Sequence, residues 1–347
     1  MYSDHECDSF ENALEKLRKG QFIMIREGTA AQNLEALMPL LTPRYASRCM
    51  FCTDDKHPYD LLHRGHIDAI VRKAIRLGAD PILTIKVASH NAARYFLLNN
   101  KGAIAPGYLA DFAVLDDLER VNVQMLFKRG VCVYDGRTVQ AREPEIDPDI
   151  LSVVSDTFHL PELTPSRLRV GESMPLMGLI PKSIVTRNLG TASGVNPAED
   201  ILKLVVCERH HSTGHVGVCY VKGYGLKRGA IAASIAHDSH NIIACGVTDE
   251  DICAAVNRIR ALRGGITVAD GGQVVAELPL PVGGLFTNEP LEKVNEQLEN
   301  CKRRAYNMGV TEGVDPFMTM SFTSLCVIPS LRLTTQGVFD VDGLTFL

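Results

Sequence analysis

Two short apolar runs that end in polar residues constrain the fold of this chain more than any other feature. Residues 22–25 are apolar and lead into Arg26-Glu27-Gly28, and residues 49–52 lead into Thr53-Asp54-Asp55. A segment with helical periodicity follows each run. Buried strands of this kind are typical of parallel α/β sheets and barrels, which keep their chemistry at the carboxyl ends of the strands. An ordinary strand whose Thr53-Asp54 pair caps the next helix is the other interpretation of residues 49–55.

Predicted helices alternate with these strands over the first hundred residues. We expect them at 9–19, with Ser9 as N-cap and Gly20 as the terminating residue, and at about 30–38, 65–77 and 81–99. The sequence therefore predicts an α/β region, 1–100, with about three βα units, which is fewer than a closed eight-stranded barrel requires.

The pattern changes to short antiparallel strands after residue 101. A strand is predicted over 110–116, and a strand–turn–strand segment over 121–139 is centred on Asp135-Gly136. The acidic, proline-bearing stretch 142–149 is the predicted linker. Residues 150–347 mix predicted strands with helices at 249–262 and 291–308, which indicates an α+β domain.

Composition excludes several classes of protein. The net charge of −5 gives no nucleic-acid footprint and no attraction to an anionic membrane. The N-terminal residues are too acidic for a signal peptide, and no apolar run is long enough to span a membrane. Most of the ten cysteines lie in apolar runs, so we expect a reduced, cytoplasmic protein. Cys49-x-x-Cys52 lacks the second pair that a zinc site would need.

Two histidine-containing segments contain the residue types of a metal site. His5 and Asp54 follow predicted strand ends, and imidazole and carboxylate groups are the ligands of metal-dependent hydrolases. A solvated N-terminal side chain is the alternative for His5. His237-x-x-His240, with Asp238 beside it, would place both rings on one face of a helix and form a second site. A polar loop that uses Asp238 for turns and caps is the alternative there.

Longer motifs run along the whole chain in a fixed order. They are Ser3-Asp-His-Glu6, 24–34 (MIREGTAAQNL), 52–55 (CTDD), 65–69 (GHIDA), 87–89 (VAS), 104–115 (IAPGYLADFAVL), 236–242 (AHDSHNI), 278–285 (LPLPVGGL) and 325–329 (LCVIP). Together they resemble the bacterial adenine deaminase family of the amidohydrolase superfamily.

That resemblance implies a fold and a reaction. It implies the C-terminal part of a metal-dependent hydrolase barrel of the TIM type, then a β-sandwich segment, 101–145, and a family-specific C-terminal α+β domain. It also implies hydrolysis of adenine to hypoxanthine and ammonia, with a mono- or binuclear Mn²⁺ (or Fe²⁺) centre. A homo-oligomer is expected.

The resemblance also implies roles for individual residues. His5 resembles the metal-binding histidine at the sixth barrel strand. Asp54 resembles the metal-binding aspartate at the eighth, which is the catalytic proton shuttle between the attacking water and the leaving ammonia. Arg26 and Glu27 are expected to contact substrate at the seventh strand, and Asp55 replaces Asp54 if the register shifts by one.

This chain departs from the family at the earlier metal ligands. The family takes two histidines from its first strand, an acidic or modified lysine ligand in mid-barrel and a histidine from its fifth strand, and none of these can be placed here. We therefore expect a chain that is active only with the missing N-terminal half of the barrel, supplied on the same chain or as a separate one. A non-catalytic remnant that serves as a binding or oligomerisation module is the alternative.

Overall fold

A computed structural model describes residues 2–29, 32–140, 147–180 and 183–347 of the chain. The chain divides into two compact units, one within residues 1–144 and the other within 145–347. Part of the predicted linker, 142–146, lies outside the described residues. In its remainder, Asp147 caps a helix that begins at Pro148. The finer division into three domains stays a prediction.

The first unit contains six helices and six strands among its described residues. They are β1 (Ser3–Asp4), α1 (Phe10–Arg18), β2 (Phe22–Arg26), α2 (Leu34–Leu37), β3 (Cys49–Cys52), α3 (Pro58–His63), α4 (Ile67–Arg76), α5 (Pro81–Lys86), α6 (Ala92–Tyr95), β4 (Phe112–Leu115), β5 (Val123–Lys128) and β6 (Val131–Tyr134). Ser9 caps α1 as predicted. A π-helical turn, Val87–Asn91, joins α5 to α6. Residues 30 and 31 of the helix predicted over about 30–38 lie outside the described residues.

Strands β1, β2 and β3 form a parallel sheet in that order. Asp4 lies opposite Ile23 in the first pair, and Arg26 lies opposite Cys52 in the second. Helices α1, α2 and α4 bury their apolar faces in one core with β2 and β3. The predicted alternation of parallel strands with helices is therefore confirmed for this region.

Strands β4, β5 and β6 form a separate antiparallel sheet, as the change in pattern predicts. The predicted hairpin turn is wrong. The turn between β5 and β6 lies at Arg129-Gly130, where both residues have positive φ, which is the geometry of a tight two-residue hairpin. Asp135-Gly136 closes only an isolated bridge between Tyr134 and Val139.

The second unit is built on one large sheet. Its helices and strands are α7 (Pro148–Ser155), β7 (Met174–Leu179), β8 (Thr186–Ala192), β9 (Ile201–Cys207), β10 (Val216–Lys222), β11 (Ala230–Ala233), β12 (Ile242–Gly246), α8 (Asp249–Leu262), β13 (Gly265–Asp270), β14 (Gln273–Pro279), α9 (Leu291–Asn307), α10 (Met318–Phe322), β15 (Leu331–Thr334), β16 (Gly337–Asp340) and β17 (Thr345–Phe346). The eight strands β7–β14 have the order β14-β13-β11-β12-β9-β10-β7-β8, and β15–β17 form a small antiparallel sheet.

Both faces of the large sheet are covered. Leu204 and Val206 of β9 face a core that contains residues of α9, whereas Val205 and Cys207 face a core that contains residues of α8. This explains why β9 is apolar at almost every position instead of alternating. Helix α8 has the predicted bounds, and Thr248 caps it by accepting a hydrogen bond from the N–H of Asp251. No helix in the described ranges is long and apolar enough to cross a membrane.

Candidate functional site

The carboxyl ends of the three parallel strands bring the predicted residues of the first unit together. His5 directly follows β1, Arg26 ends β2, and Asp54 lies two residues beyond β3. Neighbouring parallel strands end at the same edge of their sheet, so these side chains meet. Asp54 has a φ of 54°, a left-handed conformation that aspartate tolerates better than most residues.

His5 and Asp54 share this edge with Glu6. The Nε2 atom of His5 lies 3.1 Å from Oε1 of Glu6 and 3.9 Å from Oδ2 of Asp54. One donor atom from each of the three residues lies within 4.8 Å of the others, and within the described ranges no other trio of His, Cys, Asp or Glu does so. All three side chains are about half-exposed, at 44–56%.

Arg26 lies beneath this group and is 7% exposed. Its NH1 atom donates to Oδ2 of Asp54 at 2.5 Å and to Oε1 of Glu6 at 3.0 Å, and its NH2 atom donates to Oε2 of Glu6 at 2.8 Å. Burial alone would lower the pKa of Arg26, but the hydrogen bonds to the two acids raise it above its usual value. Its Nε atom is buried with no hydrogen-bond partner.

The donor set of this group fits a divalent metal ion. A neutral imidazole nitrogen together with two carboxylate oxygens suits Mn²⁺ or Fe²⁺, which accept mixed nitrogen and oxygen ligands. Two acids held next to a histidine also carry the negative charge that a cation would neutralise. The residues present therefore fit a metal ion, which His5, Glu6 and Asp54 would hold with one ligand atom each.

Glu27 and Asp55 have other neighbours. Glu27 is buried, and its carboxylate accepts from Nζ of Lys73 at 2.6 Å and from the N–H of Leu34 at 3.3 Å. Asp55 packs under Gly28, where an added Cβ would lie 1.7 Å from its Oδ1 atom. The predicted substrate contacts of both residues stay predictions.

The two cysteines of β3 are poor candidates for chemistry. Burial raises the pKa of Cys49 to about 12, and burial together with the charge of Asp54 raises that of Cys52 to about 12. Both are therefore thiols near neutral pH, and a thiol is neither a good nucleophile nor a metal ligand.

The predicted second site lies in a turn of the second unit, so the helical interpretation of His237-x-x-His240 is wrong. The turn connects β11 to β12, and His240 has a φ of 50°, which no helix interior allows. The ring of His237 stacks on Phe322 with centroids 4.6 Å apart, and the two imidazole centroids are 6.3 Å apart. Asp238 approaches Nδ1 of His237 at 3.4 Å. His237, Asp238 and His240 do not converge as His5, Glu6 and Asp54 do.

Backbone contacts hold this turn in place. The N–H of His237 donates to the carbonyl of Ser321, and the carbonyl of His237 accepts from the hydroxyl of Ser324. Arg209, which is 2% exposed, donates to the carbonyl of His240 at 2.6 Å. Burial, reinforced by the charges of His237 and Arg209, lowers the pKa of His240. The polar-loop interpretation is the one that the structure contains.

The sequence interpretation missed Glu6 as a member of the first group. Its position next to His5 in Ser3-Asp-His-Glu6 was the available signal. In an extended strand two adjacent side chains point to opposite faces. Here β1 has already ended at Asp4, so His5 and Glu6 are free to turn to the same side.

Comparisons with known proteins assign part of each unit to a family. Residues 19–133 match the amidohydrolase family, and residues 183–344 match the adenine deaminase C-terminal domain. The first unit thus contains an amidohydrolase-family domain. Beta-aspartyl dipeptidase from Fervidobacterium islandicum AW-1 is 21% identical over 39% of each chain, with a TM-score of 0.32, which is too low to establish a shared fold.

Several curated relatives are similar to this chain over almost its whole length. Adenine deaminase 2 of Carboxydothermus hydrogenoformans is 44% identical over 98% of this chain and 61% of the relative. The adenine deaminase of Halalkalibacterium halodurans is 41% identical over 99% of this chain and 61% of the relative. The chain therefore belongs to the adenine deaminase family, and it spans 61% of the length of these relatives.

Proposed function

We propose that this chain provides part of the active site of an adenine deaminase, which hydrolyses adenine to hypoxanthine and ammonia. One observation carries the proposal: Nε2 of His5 and Oδ2 of Asp54 converge at the ends of parallel strands, in a chain 44% identical to an adenine deaminase. Adenine is the substrate named for these relatives, and it is proposed here by similarity.

The proposed barrel correspondence follows the order of the strands. From the resemblance to the family we infer that β1, β2 and β3 are the sixth, seventh and eighth strands of a β/α barrel. Their parallel, adjacent arrangement with polar groups at one edge supports this. The antiparallel sheet β4–β6 is proposed as the β-sandwich segment. The proposed metal is Mn²⁺ or Fe²⁺. A homo-oligomeric assembly, a separate N-terminal barrel half and a cytoplasmic location remain predictions.

Asp54 is the proposed proton carrier of the reaction. Its carboxylate accepts a proton from the water that attacks C6 of the purine and delivers it to the departing ammonia. When bound, the metal supplies Lewis acidity and makes a coordinated water more acidic. The imidazole of His5 acts as a ligand through Nε2, so it has to be neutral. The hydrogen bond from Arg26 fixes the carboxylate of Asp54.

Ammonia release from adenine tests the proposal. The purified 347-residue chain is incubated with adenine and added Mn²⁺, and ammonia and hypoxanthine are measured. Turnover by the wild-type chain would exclude the non-catalytic alternative, and we expect Asp54→Asn to lower that turnover by about 10²- to 10⁴-fold, the range for loss of a general acid–base group. Asp8→Asn, which changes an exposed acid of the same unit, is the matched control. Absence of turnover by the wild-type chain even when the missing N-terminal barrel half is supplied would contradict the proposal and favour the non-catalytic alternative.

A further inference from the structure

Arg26 is placed by the topology of its sheet to bridge two acids. It ends β2, the middle strand of the order β1-β2-β3, whereas Glu6 follows β1 and Asp54 follows β3. A long side chain from the middle strand therefore lies between groups delivered by both neighbours. We propose that Glu6 is a third metal ligand, and that Arg26 is the positioning residue that holds the carboxylates of Glu6 and Asp54 for the cation. This inference rests on the proposed metal centre.

The hydrogen bonds of the guanidinium support a positioning role. NH1 donates to both acids, and NH2 donates to the second oxygen of Glu6. The planar fork of arginine fixes two acceptors at defined angles, which a lysine ammonium does not do. Both terminal nitrogens are engaged by protein carboxylates, which leaves Arg26 poorly placed to recognise a substrate.

The exposure of the side chains distinguishes the positioning residue, Arg26, from the proposed ligands Glu6 and Asp54. Arg26 is buried, whereas the side chains of Glu6 and Asp54 are 56% and 44% exposed. The guanidinium therefore contacts the acids from the protein side and leaves them accessible from solvent. Oε1 of Glu6 also lies 3.1 Å from Nε2 of His5, which is a separation common between two ligands of one ion.

The unpartnered Nε atom of Arg26 is a second observation that points to a built site. A buried donor without an acceptor costs free energy, so its presence calls for an explanation. The fork of Arg26 is oriented to serve Glu6 and Asp54 even though Nε then has no hydrogen bond. The side chain of Arg26 thus keeps its hydrogen bonds to the two acids, while its own Nε remains without an acceptor.

Isothermal titration calorimetry of the full 347-residue chain with Mn²⁺ tests the role of Arg26. We expect Arg26→Lys to weaken Mn²⁺ binding by about 10- to 100-fold, the usual loss when a group that orients metal ligands is removed. Arg72→Lys, which alters an arginine paired with Asp68 on α4, is the matched control and keeps wild-type affinity. Wild-type or tighter affinity in Arg26→Lys would overturn the assignment, because a guanidinium that only repels the cation predicts no loss.

Glu6→Gln tests the third ligand on an exposed side chain whose replacement leaves the core intact. We expect at least tenfold weaker Mn²⁺ binding and an altered visible absorption of bound Co²⁺, because the spectrum reports the ligand set. Glu11→Gln on α1 is the matched control. An unchanged affinity and Co²⁺ spectrum in Glu6→Gln would overturn the role of Glu6.

The titration of the wild-type chain distinguishes failure of the proposed metal centre from failure of the roles assigned to Glu6 and Arg26. If the wild-type chain binds no Mn²⁺, the metal centre of the proposed function and this assignment are both overturned. If the wild type binds Mn²⁺ and the variants bind it equally well, only the assignment of Glu6 and Arg26 is overturned.

Discussion

The two polar clusters of this chain are each organised by a buried arginine, but the arginines have different partners. Arg26 donates to the carboxylates of Glu6 and Asp54. Arg209 donates to the backbone carbonyls of Thr157, His240 and Gly283, and its guanidinium lies over the ring of Phe158. The acids raise the pKa of Arg26, whereas burial lowers that of Arg209.

This difference separates a site from a scaffold. A guanidinium bound to half-exposed acids keeps charged groups in place at the surface, where a ligand can reach them. A guanidinium that satisfies three partly buried carbonyls ties together loops that would otherwise contain unpaired polar groups. His237 and His240 therefore lie in a turn held by hydrogen bonds to its backbone, without forming a convergent set of ligands. Judged by residue type alone, the histidine-containing turn at 237–240 would be chosen as the metal site, and its geometry does not support that choice.

The largest expected effect is on the stability of the second unit. Arg209→Met leaves three partly buried carbonyls without their donor, and we expect it to lower the free energy of unfolding by about 2–4 kcal/mol. Mn²⁺ binding by the folded fraction stays unchanged. Urea denaturation measures the loss, with exposed Arg303→Met as control. A loss below about 1 kcal/mol would contradict the scaffold role of Arg209.

The close approach of Gly28 to Asp55 predicts the next effect. An alanine Cβ at Gly28 would overlap Oδ1 of Asp55 at 1.7 Å and approach the carbonyl oxygen of Thr53 at 2.7 Å. We expect Gly28→Ala to destabilise the first unit by about 1–3 kcal/mol, as over-packing does. Gly171→Ala, where a Cβ meets no neighbour, is the control and stays within about 0.5 kcal/mol of wild type. Equal stability of the two variants would exclude the predicted clash.

Glu27→Gln tests how much a buried acid contributes to stability when it lies next to the site but is not one of the proposed ligands. Removing its charge weakens the contact with Lys73, which retains Glu35 at 3.1 Å. We expect a loss of about 1–2 kcal/mol, below the value for a fully buried pair because Lys73 is partly exposed. Exposed Glu35→Gln is the control. A normal stability together with a raised KM for adenine would instead support the predicted substrate contact.

Alkaline pH is expected to act on the buried thiols of both units. Burial raises the pKa of Cys49 and of Cys207 to about 12, above the value of 9.0 for an exposed thiol. Since the folded-state pKa is the higher one, the stabilisation is complete below pH 9 and is lost as the pH rises from 9 to 12. Each thiol contributes about 1 kcal/mol of loss between pH 8 and pH 10. Urea midpoints at the two pH values should differ less in Cys207→Ala than in Cys132→Ala.

The smallest expected effect concerns the metal content of the second unit. Because His237, Asp238 and His240 do not converge, His240→Ala should leave the bound metal per chain unchanged after incubation with Mn²⁺ and dialysis. Elemental analysis measures the content, and His5→Ala, which removes one of the converging donors, should reduce it. A reduced content in His240→Ala would contradict the comparison of the two clusters.

Sequence patterns predicted the parts of the fold that depend on local spacing. The N-cap at Ser9, the helix Asp249–Leu262 and the alternation of parallel strands with helices all follow from neighbouring residues. The hairpin turn failed for a local reason as well, because Asp135-Gly136 is the stronger turn signal but Arg129 adopts the left-handed conformation. Propensity is overridden there by the pairing of β5 with β6.

The candidate site was predictable only in part. Strand ends that carry His5 and Asp54 indicate a common edge, but the partners of Arg26 lie 20 and 28 residues away in sequence. Their meeting depends on strand order and on where β1 ends, and no periodicity encodes either. Likewise the spacing of His237 and His240 fits a helix equally well, and only the tertiary contacts of the turn exclude one.

Strand β1 joins its sheet through two paired residues, Ser3 and Asp4, whereas four residues pair β2 with β3. The amides of the shorter pairing should exchange with deuterium through local openings that leave β2 and β3 intact. His5 and Glu6 are carried by the strand that opens, and Asp54 by the part that stays closed. A cation bound to all three joins the two parts, so slower exchange at residues 3–6 would report the occupancy of the site directly.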